Sequence, residues 1–142
     1  MYDDRLDSAR IALKIGLGAA ALLAGADKFF GFLADWPRYL SPLATAILPV
    51  TPRAFMDVVG VIEMIVGLAI LSRWTRIGSF VASAWLLAIA ANLAFAGFFD
   101  VAVRDVEMAI AAYALARLTE AHDAQRTAVA IPRAATRVDA AA

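Results

Sequence analysis

The sequence predicts an all-α, polytopic membrane protein built as an antiparallel four-helix transmembrane bundle. Hydrophobic residues make up 63% of the 142 residues, and the mean hydropathy is positive. Four apolar segments follow one another, separated by prolines, charged turns or a single aspartate. A helix needs roughly 20 mostly apolar residues to cross a bilayer, and the four segments come close to that length.

The first two predicted spans cover residues 11–33 and 55–71, after a cytoplasmic N-terminal segment at residues 1–10. Prolines between the two spans end helices, while Trp36 and Tyr39 favour the membrane–water boundary. This apolar linker is expected to lie on the membrane surface or to fold over the bundle as a lid that contains Trp36 and Tyr39.

A cleavable signal peptide is the alternative reading of the first segment. The small residues at positions 24–26 resemble a cleavage site. However, the N-terminal region carries three aspartates and is not net positive, and the apolar segment continues beyond these residues. We therefore expect the first segment to be a retained membrane helix.

The third predicted span, residues 77–99, carries no formal charge. The basic turn at residues 73–76 is so short that the second and third spans should be antiparallel neighbours. The fourth predicted span, residues 101–118, is interrupted near its start by Arg104 and several acids. An interfacial amphipathic helix, leaving three spans, is the alternative for this segment. The polar tail at residues 119–142 is predicted to be disordered.

Composition excludes several kinds of function. The formal net charge is zero, so there is no basic surface for nucleic acid. The chain has no cysteine and a single histidine, His122. Iron–sulfur clusters, Cys-based zinc sites and a bis-His haem within one chain are therefore not expected. A redox role would need a diffusible cofactor, such as a quinone, or a partner subunit.

The distribution of positive charge predicts the orientation. Nine Lys and Arg residues flank one side of the four predicted spans and four flank the other. Because cytoplasmic flanks carry the excess of positive charge, both termini are expected in the cytoplasm.

Polar residues occur at similar depths in all four spans. At the rise of an α-helix, Asp27 and Lys28 lie roughly 8 Å from the end of the first span, Glu63 about 12 Å from the start of the second, and Asn92 about 10 Å from the end of the third. Charges inside membrane segments are costly and mark functional sites. The sequence therefore predicts a polar, ligand-binding pocket formed by Lys28, Glu63, Asn92, Arg104, Glu107 and Asp27.

Helical phase predicts which of these groups meet. Gly18, Gly25 and Lys28 share one face of the first span, and Glu63 shares a face with Gly60 and Gly67 on the second. Glycines permit close helix approach, which predicts a Lys28–Glu63 ion pair. Arg104 is expected to pair with Glu107 or Asp27, with Asp105 pointing elsewhere. A structural ion-pair network that fixes the bundle register, without a ligand, is the alternative.

Several short motifs carry a family resemblance over roughly residues 10–118. They are Gly25-Ala26-Asp27-Lys28-Phe29, Gly60-Val61-Ile62-Glu63 with Gly67, the Arg73–Arg76 turn, and Arg104-Asp105. The sequence resembles the DoxX-like family of small bacterial four-helix membrane proteins. Members are similar to the membrane subunits of thiosulfate:quinone oxidoreductase or are membrane partners of redox enzymes. The resemblance implies a bacterial inner-membrane location and gives Lys28, Glu63 and Arg104 as site positions.

The expected function is an accessory, non-catalytic subunit of a redox-linked membrane complex. Its pocket would hold a quinone headgroup or dock a redox-enzyme partner. If the chain is enzymatic, it would be a quinone-linked oxidoreductase component. The alternatives are a small-solute or ion permease working as a homo-oligomer in the lipid bilayer, or a structural scaffold. A scaffold predicts mutually satisfied polar groups and no cavity beside Glu63.

Overall fold

The computed structural model describes residues 4–139 of the chain, with side chains for residues 5–128. Over this range the fold is entirely helical. A 3-10 turn at Trp36–Tyr39 accompanies five α-helices, which are α1 (Asp4–Phe30), α2 (Pro42–Ile47), α3 (Pro52–Leu71), α4 (Thr75–Phe95) and α5 (Phe99–Asp139).

Three of the helices, α1, α3 and α4, are long and apolar enough to cross a membrane. Large hydrophobic side chains such as Leu23, Ile65 and Phe95 are exposed on their outer faces. Such surfaces are typical of helices surrounded by lipid. Helix α5 is not one of these helices, because charged residues lie in its first turns and again from Arg117 onward.

Helix α1 packs along α3 through facing glycines. A Cβ atom on Gly60 would lie 2.6 Å from the backbone oxygen of Gly25, and a Cβ atom on Gly67 would lie 2.9 Å from that of Gly18. No side chain fits at that spacing, so these glycines set the separation of the two helices. The two glycine-bearing faces predicted from the sequence are thus confirmed as the contact surface.

The apolar core is divided into two clusters. One contains Val66 and Ile70 of α3 with Ala82, Ala112 and Leu115 of the following helices. The other, nearer the linker, contains Ala90, Leu93 and Ala102, with Tyr39 and Phe98 packed against it. Helices α4 and α5 pack closely on each other, and contacts between α3 and α4 and between α1 and α5 complete a ring of four helices.

The helix ends differ from the predicted boundaries in two places. Helix α1 ends at Phe30, because Gly31 adopts a positive φ of 69° and turns the chain into the linker. Helix α5 continues to Asp139 through the segment predicted to be disordered. That segment is rich in alanine and arginine, which are strong helix formers.

Candidate functional site

A cavity of about 640 Å³ lies inside the ring of helices, beneath the linker. Its walls are mostly apolar and come from α1, α3, α4 and α5. Polar or amphipathic side chains reach it in the part nearer the linker. They are Lys28, Trp36, Tyr39, Glu63, Trp85, Asn92, Arg104 and Asp105.

Lys28 and Glu63 form a buried ion pair at the cavity wall. Lys28 Nζ donates to Glu63 Oε2 at 2.6 Å, and the two residues are 5% and 9% exposed. The Gly25–Gly60 contact lies one turn away on the same two helices and brings the side chains within reach. The ion pair predicted from the sequence is therefore present. The Trp36 ring also covers the ammonium, with Lys28 Nζ 3.8 Å from the ring centroid, in a cation–π contact.

Asp27 has a different role from the one predicted. Its carboxylate accepts hydrogen bonds from the backbone N–H groups of Phe32 and Leu33, at 2.8 and 2.9 Å, and from Trp36 Nε1 at 2.8 Å. Asp27 is 6% exposed and is not part of the cavity wall. It acts as an anchor that holds the start of the linker against the end of α1.

Asn92 fastens the middle of the linker, which covers residues 31–51 between α1 and α3, to α4. Its Oδ1 accepts from the backbone N–H of Ser41 at 3.0 Å, and its Nδ2 donates to the Tyr39 carbonyl at 2.8 Å. The Tyr39 ring packs edge-on against Phe98, with ring centroids 4.9 Å apart. The linker is thus held near its start and near its middle, and the two predicted lid residues, Trp36 and Tyr39, line the cavity there.

Helix α5 presents a different set of residues to the cavity from the one predicted. Arg104 lines the cavity as expected, but so does Asp105, together with Val101 and Met108. These positions follow the i, i+3, i+4, i+7 spacing of one helix face. Glu107 lies on the other side of the helix, in a shallow groove between α4 and α5.

The ion pairs predicted for Arg104 do not form. Among the described residues, the salt bridges include none between Arg104 and Glu107 or between Arg104 and Asp27. The Asp27 carboxylate accepts its hydrogen bonds from linker residues, and Glu107 lies on the side of α5 away from the cavity. Arg104 is therefore a cation at the cavity wall, and Asp105 is the carboxylate beside it.

The sequence analysis missed Trp85. This residue lies on α4 in the uncharged third span and lines the cavity. Its Nε1 is buried and lies beside the Glu63 carboxyl. The available signal was position, because a tryptophan in the interior of a membrane span, away from the interface, needs a partner for its N–H group.

The charges at the cavity wall balance. Lys28 and Arg104 contribute two positive charges, and Glu63 and Asp105 contribute two negative charges. The described residues contain no group of three or more His, Asp or Glu side chains that could hold a metal ion. A cavity wall whose charges sum to zero, with apolar surroundings, suits a neutral, amphipathic molecule with a polar headgroup better than a free ion.

Comparison with known proteins found no matching family model, no similar curated protein and no similar solved structure. The fold and site define an all-helical protein with three helices able to cross a membrane and an internal cavity with a polar end.

Proposed function

We propose that the chain is a DoxX-like integral membrane protein that binds a quinone in its cavity, as an accessory subunit of a membrane redox complex. The observation that supports this proposal is the apolar cavity of about 640 Å³ that meets a charge-balanced polar cluster at Glu63. A quinone matches this combination, since it has a neutral polar ring and an apolar tail.

The proposal includes a fourth span, formed by the first part of α5. Arg104 and Asp105 line the cavity, and charges that reach a polar cavity cost less in a membrane than charges surrounded by lipid alone. The short connections on either side of α4 make α3, α4 and α5 antiparallel neighbours. The result is an antiparallel four-helix bundle in the bacterial inner membrane, with both termini in the cytoplasm.

The cavity extends far along the bundle. On α3 its lining runs from Phe55 to Ile70, a distance of about 23 Å at the rise of an α-helix. The part lined by Leu17, Val66 and Ile70 is apolar and suits an isoprenoid tail. The polar cluster would then hold the headgroup, with Trp36 and Tyr39 excluding water from the linker side.

The chain's own residues would bind and orient the ligand. Arg104 offers a cation to a ring oxygen, while Glu63 and Asp105 offer carboxylate acceptors. When bound, a quinone would supply reversible two-electron and proton transfer. The partner subunit would supply or remove the electrons.

Two observations weigh against the alternatives. A scaffold would leave no cavity beside Glu63, yet one adjoins it. A permease needs a continuous polar path, but the end of the cavity away from the linker abuts an apolar cluster that includes Val66 and Leu115. The ligand-binding proposal is therefore the better supported one.

The test compares two neutralised ion pairs on the same protein. In Lys28→Met/Glu63→Gln the cavity pair is removed, and in the control Arg53→Met/Asp57→Asn an exposed pair of α3 is removed. We expect the first variant to lose at least tenfold in affinity for a short-chain benzoquinone, about 1.4 kcal/mol, with the control unchanged. Equal affinity of both variants and the wild type, measured by equilibrium dialysis in detergent, would refute the proposal.

A further inference from the structure

Glu107 is an exposed carboxylate on a helix face that is otherwise apolar. It lies in a groove of about 460 Å³ between α4 and α5. Its neighbours in the groove, Val103 and Val106, are 58% and 39% exposed. Among the described residues, Glu107 forms no salt bridge. In the proposed four-span topology it lies roughly 12 Å along α5 from Phe99, at a depth where an unpaired charge is costly.

Arg104 is a cation at a matching depth. It borders the cavity but is also exposed, and within the described part of the chain it forms no salt bridge. Lys28 and Arg53, at the same end of the bundle, are both held by acidic residues of their own chain. Arg104 precedes Glu107 by about 4.5 Å along the axis of α5. Each chain therefore presents a guanidinium and a carboxylate, both without an ionic partner, on adjacent turns of one helix.

The groove has room for a second helix. Its floor is formed largely by small residues, and such residues let helices approach closely in a membrane. They are Ala90, Ala91 and Ala94 of α4 and Ala102 of α5. The carboxylate in the groove requires an occupant that brings a cation at the same depth. A second copy of the chain meets this requirement, because two copies inserted in the same orientation hold Arg104 and Glu107 at equal depths.

We propose that the groove between α4 and α5 binds a second copy of the chain, so that Glu107 of each protomer pairs with Arg104 of the partner subunit. A two-fold axis perpendicular to the membrane makes this contact reciprocal, so that one interface contains two ion pairs. The guanidinium has five N–H donors, so Arg104 can bind the partner's carboxylate and still present an N–H group to the cavity. The inference rests on the four-span topology of the proposed function and not on quinone binding.

The experiment reverses the two charges separately and together. Glu107→Arg places two guanidinium groups in each contact, and Arg104→Glu places two carboxylates there. We expect each single variant to lose at least tenfold in dimer affinity, about 1.4 kcal/mol, as measured by light scattering in a mild detergent. The double variant Arg104→Glu/Glu107→Arg should regain the wild-type dimer. The control Arg53→Glu, at an exposed position of α3, should remain dimeric.

A mixture of the two single variants distinguishes a contact between protomers from a contact within one chain. In a mixed dimer, one protomer brings two carboxylates and the other brings two guanidinium groups, so both contacts again join opposite charges. Differently tagged Glu107→Arg and Arg104→Glu chains should therefore purify together after co-expression, although each is monomeric alone. Recovery of the mixed dimer also shows that both variants fold.

A second measurement is made in the membrane, on a chain that has no cysteine of its own. We expect Val103→Cys, in the groove, to be cross-linked to a second copy by a short bifunctional maleimide. Ile65→Cys, at a position of α3 that is 60% exposed, is the matched control and should stay monomeric.

The outcomes separate this inference from the proposed function. A wild type that is monomeric in both measurements would overturn the inference, and so would single variants that fail to purify together. Cross-linking of Val103→Cys only to a different membrane protein would also overturn it, since the groove would then hold another partner. A monomer that binds benzoquinone would refute the dimer alone, whereas a dimer that does not bind benzoquinone would refute the proposed function alone.

Discussion

Lys28 Nζ lies 2.6 Å from Glu63 Oε2, between two helices whose spacing is set by glycine. The pair is buried and borders the cavity. Neither residue can be exchanged without changing the electrostatics of the cavity wall. This contact connects the packing of α1 on α3 to the candidate site.

Removing one partner of this pair should destabilise the protein more than removing both. Lys28→Met leaves the Glu63 carboxylate buried without its cation, at a cost of about 3–5 kcal/mol. Lys28→Met/Glu63→Gln leaves no buried charge at these two positions and should recover most of that loss. Thermal unfolding in a fixed detergent, followed by circular dichroism, measures both variants. A double variant as unstable as the single one would show that the charge imbalance is not the cause.

The glycine contact predicts opposite effects of the same substitution at two positions of the bundle. Gly60→Ala would place a Cβ atom 2.6 Å from the Gly25 backbone oxygen, which must force α1 and α3 apart at a cost of about 1–3 kcal/mol. The matched control is Gly16→Ala, since a Cβ atom there has nothing within 4 Å. It should be neutral or stabilise α1 by up to about 1 kcal/mol. Equal midpoints of unfolding for the two variants would contradict the close-packing account.

The α1–α3 contact could be predicted because it depends on local periodicity. Gly18, Gly25 and Lys28 share a face of one helix, and Gly60, Glu63 and Gly67 share a face of another. Once the two faces are in contact, Lys28 and Glu63 are brought within reach of each other. The ion pair therefore followed from helical phase alone.

The α5 wall and the linker could not be predicted in the same way. The i, i+3 spacing of Arg104 and Glu107 predicts that these two residues share the inner face of α5. The rotation of α5 about its own axis depends instead on its packing against α4, and it brings Asp105 to the cavity in place of Glu107. Asp27 satisfies backbone groups of the linker, and the path of that linker is not encoded in any periodic pattern. Trp85 was not predicted as a site residue, because only charged and amide side chains in the spans were considered as candidates.

The anchoring role of Asp27 predicts a local effect on the linker. In Asp27→Asn an amide N–H₂ group replaces one of the carboxylate oxygens that accept from Phe32, Leu33 and Trp36. The loss of a buried acceptor costs about 1–3 kcal/mol, so amide hydrogen exchange at residues 32–36 should become at least several-fold faster. Asp35→Asn, at an exposed position of the same linker, should leave the exchange unchanged. Wild-type protection in Asp27→Asn would contradict the anchoring role.

The proposed four-span topology predicts a labelling pattern that the absence of cysteine makes simple to read. Single cysteines at Asp35 and Asp100 should react with a membrane-impermeant maleimide added outside sealed cells. Cysteines at Arg73 and Thr127 should react only after the membrane is opened. All four positions are exposed in the structure. Labelling of Thr127→Cys from outside would mean that α5 does not cross the membrane, as in the three-span alternative.

The proposed function places a quinone headgroup in the cavity beside Glu63. Its most direct test is photolabelling of the membrane-embedded protein with a photoreactive benzoquinone analogue, followed by mass spectrometry of the modified residues. We expect modification of residues at the polar end of the cavity, such as Trp85, Asn92 and Met108, and its suppression by excess unmodified benzoquinone. Labelling confined to lipid-facing residues such as Leu23 and Phe95, or labelling that unmodified ligand does not suppress, would contradict it.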